Sequence, residues 1–194
     1  MLEISSMLDV GPLLLVPLSA PELVGVSFNL ENIMAIDSFL KLGDIDGEST
    51  DHKYAKWIEV LAWSWGMTQS GTMHTGTGGG AGKVNVQDLN LTKYVDKSTP
   101  NIMQKCCSGK HYTEAQLIVR KAGDQPVDYV KITMTDVIIT SVSSGGSGGE
   151  DQVTENISLN FSKFKHEYTP QASDTGAAEA TMDTTFDIRK NVLM

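Results

Sequence analysis

Tyr129 to Val142 reads YVKITMTDVIITSV, and this run decides the fold class. Ile132 and Met134 alternate with Lys131, Thr133 and Thr135, which is the period of two of a strand with one buried face. Beyond Asp136 the apolar residues are Val137 and Ile139, on the opposite parity. A strand whose apolar side chains change parity midway must bulge or bend there. The same switch occurs from Val84 and Val86 to Leu89 and Leu91, and from Ile157, Leu159 and Phe161 to Phe164, His166 and Tyr168. Long bent strands let sheets curl over and pack on one another, so the expectation is a mainly β chain of two packed sheets forming a barrel-like fold. The bends are expected near Gln87-Asp88, Thr135-Asp136 and Ser162-Lys163.

Outward from that run, Leu40 and Leu42 alternate with Lys41, and further strands are expected at Ala115–Arg120 and Thr185–Arg189. In Trp57–Trp65, the residues Trp57, Glu59, Leu61, Trp63 and Trp65 share one parity and Ile58, Val60, Ala62 and Ser64 the other. Apolar character on both sides predicts a central strand. One short helix is expected at about 99–108, with a hydroxyl cap before Pro100 at the first helical position, Lys105 near the end and Gly109 as the left-handed stop. Ile102 with Cys106, and Met103 with Cys107, are four apart and expected to pack on the sheets. Long glycine-rich loops are expected at Gly71–Gly82 and Gly145–Gly149, and a third, small and polar loop at Asp174–Ala180.

A length of 194 residues, 40% hydrophobic and 20% charged, suits one ordinary folded domain, placed here at 34–194. Residues 1–33 are expected to be an N-terminal extension outside the fold. Their apolar stretch Val10–Phe28 has no preceding Lys or Arg, so it lacks the basic region of a secretory signal, and Pro12, Pro17, Pro21 and Glu22 argue against a membrane span. Met34-Ala35-Ile36 opens the first strand and reads as an internal start.

Charge and motifs exclude several functions. Lys plus Arg total 15 against 24 for Asp plus Glu, a net charge of −9 that repels nucleic acid. Cys106 and Cys107 are adjacent, which suits neither a normal disulfide nor a zinc site. Gly78–Val84 lacks the first glycine, the hydroxyl and the following helix of a phosphate loop, because Thr77 and Val84 stand at the decisive places. Asp44-Ile45-Asp46-Gly47-Glu48 lacks the distal ligands of a calcium loop. His52, His74, His111 and His166 have no metal-binding spacing, and no nucleophile elbow occurs. The expectation is a protein that is not an enzyme and needs no metal or cofactor.

Several separate motifs carry a resemblance. Leu61-Ala62-Trp63-Ser64-Trp65-Gly66 is followed in order by Gly78–Val86 (GGGAGKVNV), Lys97-Ser98-Thr99-Pro100-Asn101 and Ser108-Gly109-Lys110-His111-Tyr112. Gly145-Gly146-Ser147-Gly148-Gly149-Glu150-Asp151 then precedes Thr154-Glu155-Asn156. Together they resemble the Hcp family, the haemolysin-coregulated proteins, over about Met34 to Val192; residues 1–33 are unmatched and Gln171–Thr184 matches loosely. The resemblance implies a subunit of the inner tube of the bacterial type VI secretion machine. Six copies would close into a ring, and rings would stack into a tube capped by a spike protein, driven by a contractile sheath and carrying effectors in its lumen. It also implies a protein cytoplasmic before firing and exported through the machine with no cleaved signal; the net charge and the proline-broken apolar stretch separately predict no nucleic-acid partner and no membrane insertion.

Parity yields the candidate positions. Trp63 and Trp65 point one way from their strand and Ser64 the other, so the indoles are expected in the core and Ser64 on the lumen, where the resemblance also puts a cargo-facing residue. The loop with Gly76, Gly78, Gly79, Gly80, Gly82 and Lys83 is the candidate for reaching an adjacent subunit or ring. The alternative from another class is a monomeric β-sandwich module binding a ligand or carbohydrate.

Overall fold

The computed structural model describes residues 36–71, 82–121, 126–149, 151–172 and 177–194. Alternating runs become antiparallel strands. A first sheet is built from β1 (Ile36–Leu42), β2 (Ile58–Val60), β7 (Tyr112–Lys121), β8 (Val127–Gly145), β10 (Lys163–Tyr168), β11 (Met182–Asp187) and β12 (Val192–Leu193). Its lateral order is β12-β11-β10-β8-β7-β1-β2. A second sheet holds β3 (Ala62–Ser64), β6 (Leu89–Tyr94), β9 (Thr154–Asn160) and the distal half of β8, in the order β3-β6-β9-β8. Strands β4 (Met67–Thr68) and β5 (Asn85–Val86) form a separate two-stranded hairpin.

The chain is mainly β, but the two sheets are not closed into a barrel. They share β8, which pairs with β10 as far as Thr135 and with β7 as far as Val137, and then with β9 from Ile138 onward. Asp136 takes the left-handed φ of 56° at that corner, and a register shift follows between Ile139 and Ser141. The other expected bends are breaks: Gln87-Asp88 separates β5 from β6, and Phe161-Ser162 separates β9 from β10. The sheets are joined a second time where β2 runs into β3, while β12 has no partner on its outer side among the described residues.

That second junction corrects the reading of Trp57–Trp65. It is not one central strand: Ile58 and Val60 face the core, the chain breaks at the exposed Leu61, and Trp63 and Trp65 then turn inward. The run is apolar on both parities because it changes sheets, not because both faces are covered. Leu40, Leu42, Leu117, Ile132, Leu91 and Leu159 exemplify the core between the sheets. Trp65 closes one side, 4.8 Å from Phe164 and 5.9 Å from Phe161 between ring centroids.

Helix α1 (Thr99–Ser108) ends as its sequence dictates, with Gly109 at φ 61° and the amides of Gly109 and Lys110 reaching the carbonyls of Cys106 and Lys105. Its start differs from expectation. The Ser98 side chain makes no capping bond; it donates instead to Asp96, whose Oδ1 also accepts the Ser98 amide at 2.9 Å. Only one face of the helix packs, through the fully buried Ile102 and the half-buried Cys106. Met103 is 41% exposed and Cys107 is exposed, so that stripe does not meet the sheets. The reason is geometric: a short helix laid over one edge of a sheet buries about a third of its surface.

Outside the first sheet, the segment 49–57 straps Tyr54 and Trp57 over Phe39 and Ile118. Arg120 holds the strap by two bonds to Asp51, at 2.6 and 3.1 Å, and also bonds Asp37 at 3.0 Å. Asp128 accepts from Tyr54 at 2.6 Å and pairs with Lys53.

Candidate functional site

The second sheet has two contrasting faces. Leu89, Leu91, Ile157, Leu159 and Ile139 point inward. The register puts their alternates side by side on the outer face: Ser64 opposite Asn90, Asn90 opposite Ser158, and Ser158 opposite Ser141. One step along, Ala62, Thr92, Asn156 and Ser143 form the next row. Four strands therefore present a continuous surface of small, uncharged polar side chains.

These side chains bond one another across the strands. Thr92 Oγ1 donates to Asn156 Oδ1 at 2.8 Å, and Ser158 Oγ to Asn90 Oδ1 at 2.7 Å. Asp88, just before β6, accepts from Asn160 Nδ2 at 2.7 Å and from Thr140 Oγ1 at 2.6 Å. Such pairs fix rotamers and satisfy much of the polar capacity, which leaves a level face with few free hydrogen-bonding groups.

Directly beneath lies a buried ionic cluster. Lys93 and Glu155 stand opposite each other on β6 and β9 with side chains 1% and 0% exposed, and their charges meet at 2.7 Å. Lys93 Nζ also reaches Asp96 Oδ1 and the Tyr94 carbonyl, each at 2.7 Å. Thr99 Oγ1 donates to Glu155 Oε1 at 2.8 Å, so the first turn of α1 is tied to the same carboxylate. Burial opposes ionisation of Asp96, but the bonds from Lys93 and Ser98 outweigh it and hold its pKa below the ordinary value. An ammonium with two carboxylates and a carbonyl around it is a satisfied structural node, not a catalytic base awaiting substrate.

Of the positions singled out by sequence, Ser64 is exposed on the polar face. Trp63 and Trp65 are half-buried against the core, and the Trp65 indole donates to the Gln87 carbonyl at 3.0 Å. Gly82 and Lys83 are exposed, and the Gly82 amide donates to the Ser70 carbonyl. Gly76, Gly78, Gly79 and Gly80 lie outside the described residues. In the acidic segment after β1, Asp46 pairs with Lys41 at 3.3 Å and Glu48 accepts the Lys97 amide at 3.0 Å, so two of its carboxylates serve turns.

Sequence reasoning did not single out Asp88, Asn90, Thr92, Asn156 and Ser158. Their signal was present in the alternations Leu89-Asn90-Leu91-Thr92 and Asn156-Ile157-Ser158-Leu159-Asn160, which put neutral polar residues at every outward place. The Lys93–Glu155 pair carried no signal, because a charged residue on an apolar parity reads as a strand end.

Residues 39–168 match a family described as Type VI secretion system effector, Hcp. The chain is 56% identical over 160 residues to Protein hcp1 of Pseudomonas aeruginosa, a match covering 82% of this chain and 99% of that protein. It is similar to the crystal structure of Hcp1 from Salmonella typhimurium, with a TM-score of 0.69 at 41% identity over 83% of this chain and 100% of that one. It is also similar to a type VI secretion system effector from Yersinia pestis, with a TM-score of 0.63 at 34% identity over 78% of this chain and 99% of that one.

Proposed function

The chain belongs to the Hcp family of type VI secretion proteins, and from that premise we propose that it is the subunit of a secretion tube, closing as six-membered rings that stack and carry effector proteins in their lumen. The observation that carries this reading is the outer face of the second sheet. A channel through which folded passengers slide needs a wall without apolar patches that would grip them by hydrophobic burial, and cross-bonded Ser, Thr and Asn side chains supply one.

The edges of that sheet support ring closure. Among the described residues β3 pairs only with β6, and the distal half of β8 only with β9, so both lateral edges offer unpaired backbone groups. Exposed edges are an aggregation liability unless covered, and a head-to-tail contact that closes covers every edge in a ring. On this reading Ser64 faces the lumen, and the Gly71–Gly82 loop with Lys83 reaches an adjacent subunit or ring. Residues 34–194 form the tube domain and residues 1–33 stand outside it, which agrees with a match covering 99% of the relative but 82% of this chain. The protein resides in the bacterial cytoplasm until firing and then leaves with the tube, capped by a spike protein and pushed by a contractile sheath.

Native mass spectrometry with negatively stained particles tests the assembly: six-subunit annuli are expected, and a monomer at high concentration overturns it. Ser64→Gln should leave the annuli intact and lower effector retention; unchanged retention would remove Ser64 from the lumen reading. Deleting residues 1–33 should preserve the rings.

A further inference from the structure

Asp88 differs from everything around it on the polar face. It is the one carboxylate among the described residues of that surface, which carry no lysine or arginine, and it forms no ion pair among the described residues. Its two oxygens are fixed from different strands, Oδ1 by Asn160 on β9 at 2.7 Å and Oδ2 by Thr140 on β8 at 2.6 Å. Each donor occupies one lone-pair direction of its oxygen, so both oxygens keep capacity for a further donor. Asn90, opposite Ser64, donates to the Asp88 backbone carbonyl at 3.3 Å, which ties Asp88 to the neighbour of the candidate cargo-facing serine.

We propose that Asp88 is the docking point for a lysine or arginine side chain of the passenger protein, and that it selects passengers by charge. The inference rests on the reading that this face lines the channel. A carboxylate already held by two neutral donors does not need to reorganise when a cation arrives, and a neutral surround supplies no competing cation. Repetition around a ring would set one such group per subunit on the channel wall, so that a passenger surface meets several fixed acceptors at once. The expected passenger surface is a cationic patch facing a ring of fixed acceptors; an acidic patch would be repelled.

The test is a fluorescence anisotropy titration of the full-length protein with two labelled peptides of equal length, one of alternating lysine and serine and one of alternating glutamate and serine. The parent should prefer the lysine peptide, with affinity falling as salt rises. Asp88→Asn, which keeps size and one acceptor, should weaken that peptide about threefold to fivefold and reduce the salt dependence. Asp88→Lys should reverse the preference. Asp183→Asn, on the outer charge ladder of the first sheet with Lys165, should leave it unchanged. Parent-like binding by Asp88→Asn overturns the inference, as does equal weakening by Asp183→Asn, which would mark a diffuse net-charge effect. If Ser64→Gln lowers effector retention while Asp88→Asn changes nothing, the channel reading stands and this inference fails. If rings do not form, the channel reading fails, and the same titration on the free chain still decides whether Asp88 takes the cation.

Discussion

Lys93 and Glu155 are almost wholly withdrawn from water, yet each is charged and bonded. Removing one member leaves the other uncompensated, so Lys93→Met should cost about 3–5 kcal/mol in urea unfolding, whereas Lys93→Met/Glu155→Met should recover a large part of that loss. Recovery would show that the pair adds little net stability over an apolar pair of similar size; no recovery would mean that the bonds to Thr99 and Asp96 carry the stability. Gly43 presents a different constraint. It sits at φ +51°, and a Cβ there would run into the Tyr112 ring. Gly43→Ala should lower stability by about 2 kcal/mol or more, read from the same urea midpoint. Asp51 has its pKa held at about 2, first by the hydrogen bond from Arg120, with burial opposing and the amides of Tyr54 and Lys53 assisting. A depressed folded pKa contributes stability above the unfolded value, near 3.8, and loses it as the pH falls through about 2. Trp57 fluorescence should therefore report a strap that is unchanged from neutrality to mild acid and loosens below pH 4. Asp51→Asn should remove that acid step.

At the scale of elements, the corner of β8 carries the most information. Asp136 adopts φ 56° there, and its carboxylate joins His111 on one oxygen and Arg189 on the other, each at 3.1 Å. Aspartate, asparagine and glycine tolerate that backbone, but a β-branched residue does not. Asp136→Asn should be nearly neutral, while Asp136→Val should cost about 1–2 kcal/mol from the backbone alone, measurable by thermal unfolding. Helix α1 shows why local signals reach only so far. Pro100 and Gly109 fixed its limits through backbone conformation, which is local; the partner at its start was Asp96, because Lys93 beneath the sheet draws that carboxylate into place. Met103 and Cys107 share the spacing of Ile102 and Cys106, and only the position of the sheet decided which pair was covered.

At the scale of the whole molecule, the two sheets divide the work. The first wears an outer charge ladder, Lys131–Glu167–Lys165–Asp183, and a latched aromatic strap, whereas the second exposes a nearly neutral face. An assembly that places the second sheet inward and the first outward gives a smooth channel and a polar exterior. Disrupting the free edge should therefore matter more for assembly than for folding: Ala62→Lys puts a charge at an exposed position of β3, and should weaken ring formation in native mass spectra more than it lowers the unfolding midpoint. Equal loss of both would place β3 within the folding core instead.

The sequence by itself determined the strand periodicity, the corner near Asp136, the helix limits and the family, because each rests on neighbouring residues or on motifs in fixed order. Tyr129–Val142 disclosed its corner through parity alone, without any partner strand. Tertiary structure alone decided that the sheets share β8 without closing, that Trp57–Trp65 changes sheets at Leu61, and that Lys93 meets Glu155. It also gathered Asp88, Asn90, Thr140, Asn156 and Ser158 onto one face. Those relations join residues tens of positions apart through strand register, and register is set by how all the apolar faces meet at once, which no local stretch of chain contains.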